Sequence, residues 1–224
     1  RPPRPTRSRS PPMPMHEPQH VVLLSGIWLP RWSLWPLAWR LRRCGFIPHL
    51  FAYHTMGRDL QQNAAALQVF LRTLPAGTVH LVAFSLGGLV VRALFHFYPQ
   101  QHPGRIVTLG TPHNGSLAAQ RLVRWRWSRG IAGKSLADLV AGQPQSWAPP
   151  ARELGIIAGS VNLGLGRLVV RHREVSDGTV SLSETRLSKA TDFLAVRTSH
   201  FGLLLSAASA GAVCRFLRSG RFSA

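Results

Sequence analysis

A serine becomes a candidate nucleophile when the chain exposes its hydroxyl and sets a backbone donor beside it. The segment Ala83-Phe84-Ser85-Leu86-Gly87-Gly88 can do both. VHLVAFS (79–85) reads as a buried strand and passes directly into LGGLVVRALFHFY (86–98), a mostly apolar helix. A sharp turn at that junction lifts the central side chain above a sheet. Small residues two before and two after the serine, here Ala83 and Gly87, let strand and helix approach closely. The Leu86 N–H is left at a helix N-terminus, where it can face a developing oxyanion. The plainer reading makes Ser85 a helix N-cap, a common role for serine. The strand before it, the Gly-Gly after it and the apolar helix beyond favour the nucleophile.

Other chemistry has weaker support. His16-Glu17-Pro18-Gln19-His20 formally fits H-E-x-x-H, but that zinc motif needs a helix to bring both imidazoles onto one face. Pro18 and the strand starting at Val21 argue against a helix there, so no metal is expected. There is no Walker or G-x-G-x-x-G phosphate loop, and no cofactor is expected. Cys44 and Cys214 stand far apart with no C-x-x-C, which excludes a zinc ribbon and a redox motif.

The elements that must position Ser85 alternate. VVLLSG (21–26), FIPHLFAY (46–53), GRIVTLG (104–110), ELGIIAGS (153–160) and FLAVRTSH (193–200) read as further strands, with Pro48 pointing to a sheet edge. Helices are expected over 33–44, with Trp35, Trp39 and Leu41 among the apolar positions, over 58–73, and over 201–217. Strands alternating with helices imply an α/β fold: a mainly parallel central sheet of about six strands with helices on both faces. Residues 115–150 break the rhythm and read as a small cap insertion. Residues 1–19 begin with an Arg/Pro-rich stretch without an apolar core. They read as a disordered tail or an extension upstream of a start at Met13 or Met15, with one domain over 20–224.

Three segments, VVLLSGIW (21–28), HLVAFSLGGLVVR (80–92) and VTLGTPHNGS (107–116), resemble the α/β-hydrolase superfamily, close to its compact bacterial lipase/esterase branch. The resemblance covers roughly 21–220 and implies an α/β-hydrolase fold. It also implies a triad in the chain order serine, acid, histidine. Only His172 and His200 lie beyond residue 160. His200, between the last strand and the last helix, stands where the family has its base. SDGTVSLSETRL (176–187) is similar to the family's acid segment and makes Asp177 the acid, with Glu174 and Glu184 as fallbacks. Asp-Gly is also an ordinary turn dipeptide. The resemblance places the second oxyanion donor at Ile27 or Trp28, in a loop where relatives have His-Gly and this chain has Ser25-Gly26. Trp28 and His113 are expected to line or buttress the substrate site.

The implied activity is hydrolysis of a carboxylic ester through a Ser85 acyl-enzyme, on acyl or lipid esters. Thioester hydrolysis and acyl transfer would use the same groups. The reading from a different class is a catalytically silent module that binds anionic lipid or an acidic partner. The net charge of +19 motivates it, although an arginine-rich composition alone explains such a charge. The arginines are spread along the chain, so nucleic acid is not expected as a partner. Trp28, Trp32, Trp35 and Trp39 follow the oxyanion loop, and Trp125 and Trp127 alternate with Arg124 and Arg126. Packed core and cap is the default for both clusters, and peripheral contact with an anionic membrane is the alternative. No apolar run is long enough to span a bilayer, and a cytoplasmic location is expected. Oligomeric state is left open.

Overall fold

The computed structural model describes residues 19–124, 129–163 and 174–223. Six strands form one sheet: β1 (His20–Leu24), β2 (Ile47–Phe51), β3 (Val79–Phe84), β4 (Ile106–Leu109), β5 (Leu154–Gly159) and β6 (Asp192–Val196). Their order is β2-β1-β3-β4-β5-β6, and every neighbouring pair is parallel. β2 lies at an edge, where the missing N–H of Pro48 interrupts no central ladder.

Among the described residues the helices are α1 (Trp35–Arg43), α2 (Leu60–Arg72), α3 (Leu86–Phe97), α4 (Leu117–Arg124), α5 (Arg129–Val140), α6 (Gln143–Ser146), α7 (Leu182–Thr185), α8 (Gly202–Leu205) and α9 (Ala207–Ser219). A 3₁₀ turn, Arg31–Leu34, leads into α1. Strand side chains alternate between faces. Val22 and Leu24 of β1 join one core with α2 and α3, whereas Val21 and Leu23 join a second core with α1 and α9. The sheet is thus covered on both faces, as all-parallel sheets require.

α1 departs from its expected orientation. The core side carries Leu34, Leu37, Ala38 and Leu41, and Trp35 and Trp39 face outward. A helix this rich in apolar residues has two apolar stripes, and the aliphatic one packs more closely on the sheet. The cysteines also hold a surprise: Cys44, just past α1, is disulfide-bonded to Cys214 of α9 across a separation of 170 residues. Their distance in sequence said nothing of this pairing, because it is the sheet topology that lays α1 and α9 side by side.

Two buried histidines stay neutral near pH 7. His80 Nδ1 accepts from the Arg105 N–H (2.9 Å), and burial together with Arg105 and Arg152 lowers its pKa to about 4. His113 is fully enclosed, and burial plus the nearby Arg92 lowers its pKa to about 3. In the unfolded chain both would titrate near the ordinary histidine value of 6.5. The unfolded state therefore takes up protons first as the pH falls. The stability each neutral ring provides is intact above pH ~6.5 and is lost below it, on the order of 1.4 kcal/mol per pH unit per histidine. Thermal unfolding between pH 7 and 4.5 should show a fall that the His80→Gln variant makes shallower. An unchanged pH slope in that variant would remove His80 from this account.

Candidate active site

The turn between β3 and α3 sets the serine. Ser85 adopts φ 52° and ψ −123°, a backbone conformation that costs a non-glycine residue ~1–3 kcal/mol and persists only where its surroundings enforce it. Those surroundings are tight. A Cβ on Gly87 would lie 2.7 Å from the Ser25 carbonyl oxygen, and one on Gly88 would collide with Thr111 Oγ1. Thr111 Oγ1 donates to the Ser85 carbonyl (2.9 Å) and ties the turn to the end of β4.

The loop after β6 brings His200 to the serine. His200 Nε2 lies 3.1 Å from Ser85 Oγ, and His200 Nδ1 lies 2.6 Å from Asp177 Oδ2. Asp177 is fully buried; its Oδ1 accepts from the N–H groups of Thr179 (2.9 Å) and Val180 (2.8 Å). Two backbone donors on one oxygen leave the other aimed at the imidazole. The His200 N–H also donates to the Asp177 carbonyl (2.9 Å), so the acid and base loops are joined by backbone as well. Gly110, at φ +58°, leaves room for the imidazole: a Cβ there would lie 3.0 Å from the ring.

Leu86 opens α3, so its N–H has no acceptor within the helix. Opposite it runs the loop after β1. The Leu29 N–H donates to the Gly26 carbonyl (3.4 Å), and Trp28 has φ 59°. A positive φ at a non-glycine residue is locally strained backbone that persists only where its surroundings enforce it. Ser25 Oγ donates to the Leu29 carbonyl (3.0 Å), and Tyr53 Oη donates to the Ser25 carbonyl (2.7 Å). Burial raises the Tyr53 pKa and keeps its phenol a donor. These two side chains brace the loop after β1, where this chain has Ser25-Gly26. Tyr53 was missed in the sequence, where it reads only as the end of a strand.

A cavity of about 230 Å³ opens beside Ser85. Its walls include Ile27, Leu86, Leu122, Leu136, Leu139 and Val180, with Trp28 and Phe201 also lining it. The volume falls just below the ~300–1,000 Å³ of sites for drug-sized ligands, which suits one apolar arm of a substrate. α4 and α5 of the cap supply much of this wall. α5 is pinned from outside: the Lys134 N–H donates to the Met56 carbonyl (3.0 Å), and Ser135 Oγ donates to the Arg58 carbonyl (2.7 Å). Asn63, fully buried in α2, donates to Ser135 Oγ (3.1 Å) and to the His54 carbonyl (3.0 Å).

A family model for palmitoyl protein thioesterases matches residues 51–151. No curated protein sequence matches the chain. Among solved structures, the mature form of the Bacillus licheniformis lipase BlEst2 superposes with a TM-score of 0.76 at 20% identity, over 97% of this chain and 96% of that one. The chain has the α/β-hydrolase fold. Two further structures with this fold are similar. One is a monoacylglycerol lipase from Paleococcus ferrophilus, with a TM-score of 0.64 at 14% identity over 91% of this chain and 96% of that one. The other is the metagenomic carboxyl esterase MGS0156, with a TM-score of 0.64 at 17% identity over 88% of this chain and 69% of that one.

Within the α/β-hydrolase fold, other expected site residues sit elsewhere. His113 does not line the cavity. It is 1% exposed, its Nε2 lies 3.0 Å from Thr108 Oγ1, and its carbonyl accepts from Arg92 (3.1 Å). It buttresses the loop after β4 from below. Glu184 turns away from the imidazole and accepts from the N–H groups of Leu117 (2.6 Å) and Ser181 (2.8 Å), so it fixes the start of α4. Glu174 contacts Ser183 Oγ. Trp147 is buried, whereas Trp28, Trp32, Trp35 and Trp39 are all at least half exposed, against the packed-core expectation. His172, and Trp125, Arg126 and Trp127 of the expected interfacial segment, lie outside the described residues, as do residues 16–18 of the H-E-x-x-H match. Among the described residues no cluster of ligands could hold a metal, and no helix is long and apolar enough to cross a membrane.

Proposed function

We propose that this chain is a serine hydrolase that cleaves carboxylic esters bearing an apolar acyl group. The observation that carries this reading is the hydrogen-bonded chain Ser85–His200–Asp177 at the floor of an apolar cavity. Ser85 Oγ attacks the carbonyl carbon while its proton passes to His200 Nε2. Asp177 holds the other ring nitrogen protonated and stabilises the imidazolium. The oxyanion accepts from the Leu86 N–H and from the Ile27 or Trp28 N–H; one such donor is worth ~2.7–4 kcal/mol in comparable sites. Collapse expels the alcohol, which takes the proton from His200. Water then attacks the acyl-enzyme with His200 again as base, releasing the acid and restoring Ser85.

A thioester substrate is the second reading. It is favoured by the thioesterase family match over 51–151, a stretch that carries Ser85 and the cap. The chemistry is the same, with a thiol leaving in place of the alcohol. The Cys44–Cys214 disulfide favours an oxidising compartment over the expected cytoplasmic one, because cytosolic thiols are kept reduced.

A fluorophosphonate probe tests the reading directly, since it phosphonylates only an activated serine. The folded protein should be labelled at Ser85, and Ser85→Ala should not be labelled. Pairing an acyl oxyester with its thioester in turnover assays then separates the two substrates. Folded protein that takes no label would favour the silent binding module.

A further inference from the structure

The outer face of α1 and of the 3₁₀ turn before it is a surface of aromatic and cationic side chains. Trp32 is 61% exposed, Trp35 64% and Trp39 55%, and the spacing of three and four residues sets them in one stripe. Tryptophan is among the more buried residue types on average, so a row of three is a patch that calls for a partner. The partner's charge is legible beside it. Arg31, Arg42 and Arg43 are exposed at the two ends of the stripe, and the Arg43 guanidinium lies 4.8 Å from the centre of the Trp39 ring. No acidic residue occurs between positions 19 and 58.

The stripe begins four positions after Trp28, a residue of the cavity wall. Trp28 and Phe201 line the cavity and are themselves 50% and 46% exposed. α1 contacts α8, which begins directly after Phe201 and leaves Leu205 exposed. The aliphatic side of α1 is already committed to the core, and the aromatic side is left exposed among the described residues. Indole rings with an apolar body and one N–H donor settle at the boundary between acyl chains and headgroups, and guanidinium groups pair with phosphate there.

We infer that Trp32, Trp35 and Trp39, flanked by Arg31, Arg42 and Arg43, seat this protein on an anionic phospholipid bilayer with the cavity mouth at the interface. The docking itself is independent of catalysis. Delivery of acyl groups from the membrane rests on the serine-hydrolase reading above.

Co-sedimentation with phosphatidylcholine vesicles, with and without phosphatidylglycerol, tests the inference, using the Ser85→Ala chain so that the lipid stays intact. Binding should require phosphatidylglycerol and weaken as salt rises, because exposed charges are screened over ~8–10 Å at physiological ionic strength. W32A/W35A/W39A should lower partitioning at least ~10-fold, since each ring contributes buried apolar area. R31Q/R42Q/R43Q should lower it by roughly fivefold per arginine at low salt. In the background with Ser85 intact, both triple variants should hydrolyse a short soluble ester as the parent does. Equal vesicle binding by parent and tryptophan variant would overturn the inference. So would a parent dimer that the tryptophan variant breaks while vesicle binding is unchanged, which would assign the face to self-association. Vesicle binding as expected without any soluble-ester hydrolysis would instead overturn the serine-hydrolase reading and leave the docking face standing.

Discussion

Ser85→Ala and His200→Ala should each lower kcat on a short soluble ester by roughly 10⁵–10⁶-fold, by analogy with the nucleophile and base of a serine protease. The argument rests on dependence and not on summed contacts. Ser85 Oγ is a poor nucleophile until His200 Nε2, 3.1 Å away, takes its proton, and the histidine has nothing to activate without the serine. The double variant should therefore be little worse than either single one. A residual rate of ~10³–10⁴ over water should survive, supplied by the oxyanion donors and substrate binding. Both changes remove side-chain atoms at a cavity and leave the backbone bonds of the turn in place, so thermal unfolding should report folded protein. Near-normal turnover in either folded variant would remove that residue from the mechanism.

The fold was legible because each strand is a short apolar run and each is followed by a helical segment. Alternation alone implies a parallel sheet, and the observed strands overlap the expected ones: β1 and β6 begin one residue earlier, and most other ends are shortened by one to four residues where loops take over. Ser85 was legible for a local reason: strand, serine and paired glycines are contiguous. Asp177 and His200 were reached through the family resemblance and not through spacing, since two loops 23 residues apart meet only through the sheet.

What stayed hidden depends on contacts distant in sequence. Asn63 reads as a polar position on an amphipathic helix, yet it is buried and clamps the cap, because Ser135 comes from a segment 72 residues away. Tyr53 and Ser25 brace the loop after β1 across 28 residues. Cys44 and Cys214 pair only because α1 and α9 cover the same face of the sheet. The outward tryptophans are a different kind of miss. Trp35, Trp39 and Leu41 all score as apolar, and hydrophobicity alone does not say which of two stripes meets the core.

Asp177→Asn should be the sharper test, because it changes chemistry with almost no change of shape. In the native site Oδ1 is held by the N–H groups of Thr179 and Val180, and only Oδ2 faces His200. An asparagine that keeps its oxygen toward those two donors must turn its amide NH₂ toward His200 Nδ1. That nitrogen must then be an acceptor, so the ring proton moves to Nε2. Nε2 would then donate to Ser85 Oγ and could no longer take its proton. The expected loss in kcat is up to ~10⁴, by analogy with the same substitution in a serine protease, with KM for a short ester nearly unchanged. Activity should recover in part at high pH, where a deprotonated serine or hydroxide no longer needs the imidazole. Glu184→Gln is the control. Its carboxylate accepts from the Leu117 and Ser181 N–H groups and has no bond to the imidazole, so its cost should appear in thermal stability and leave kcat nearly intact. If Glu184→Gln loses more kcat than Asp177→Asn, the acid of the triad is Glu184, and the 2.6 Å contact between Asp177 and His200 serves only to hold two loops together.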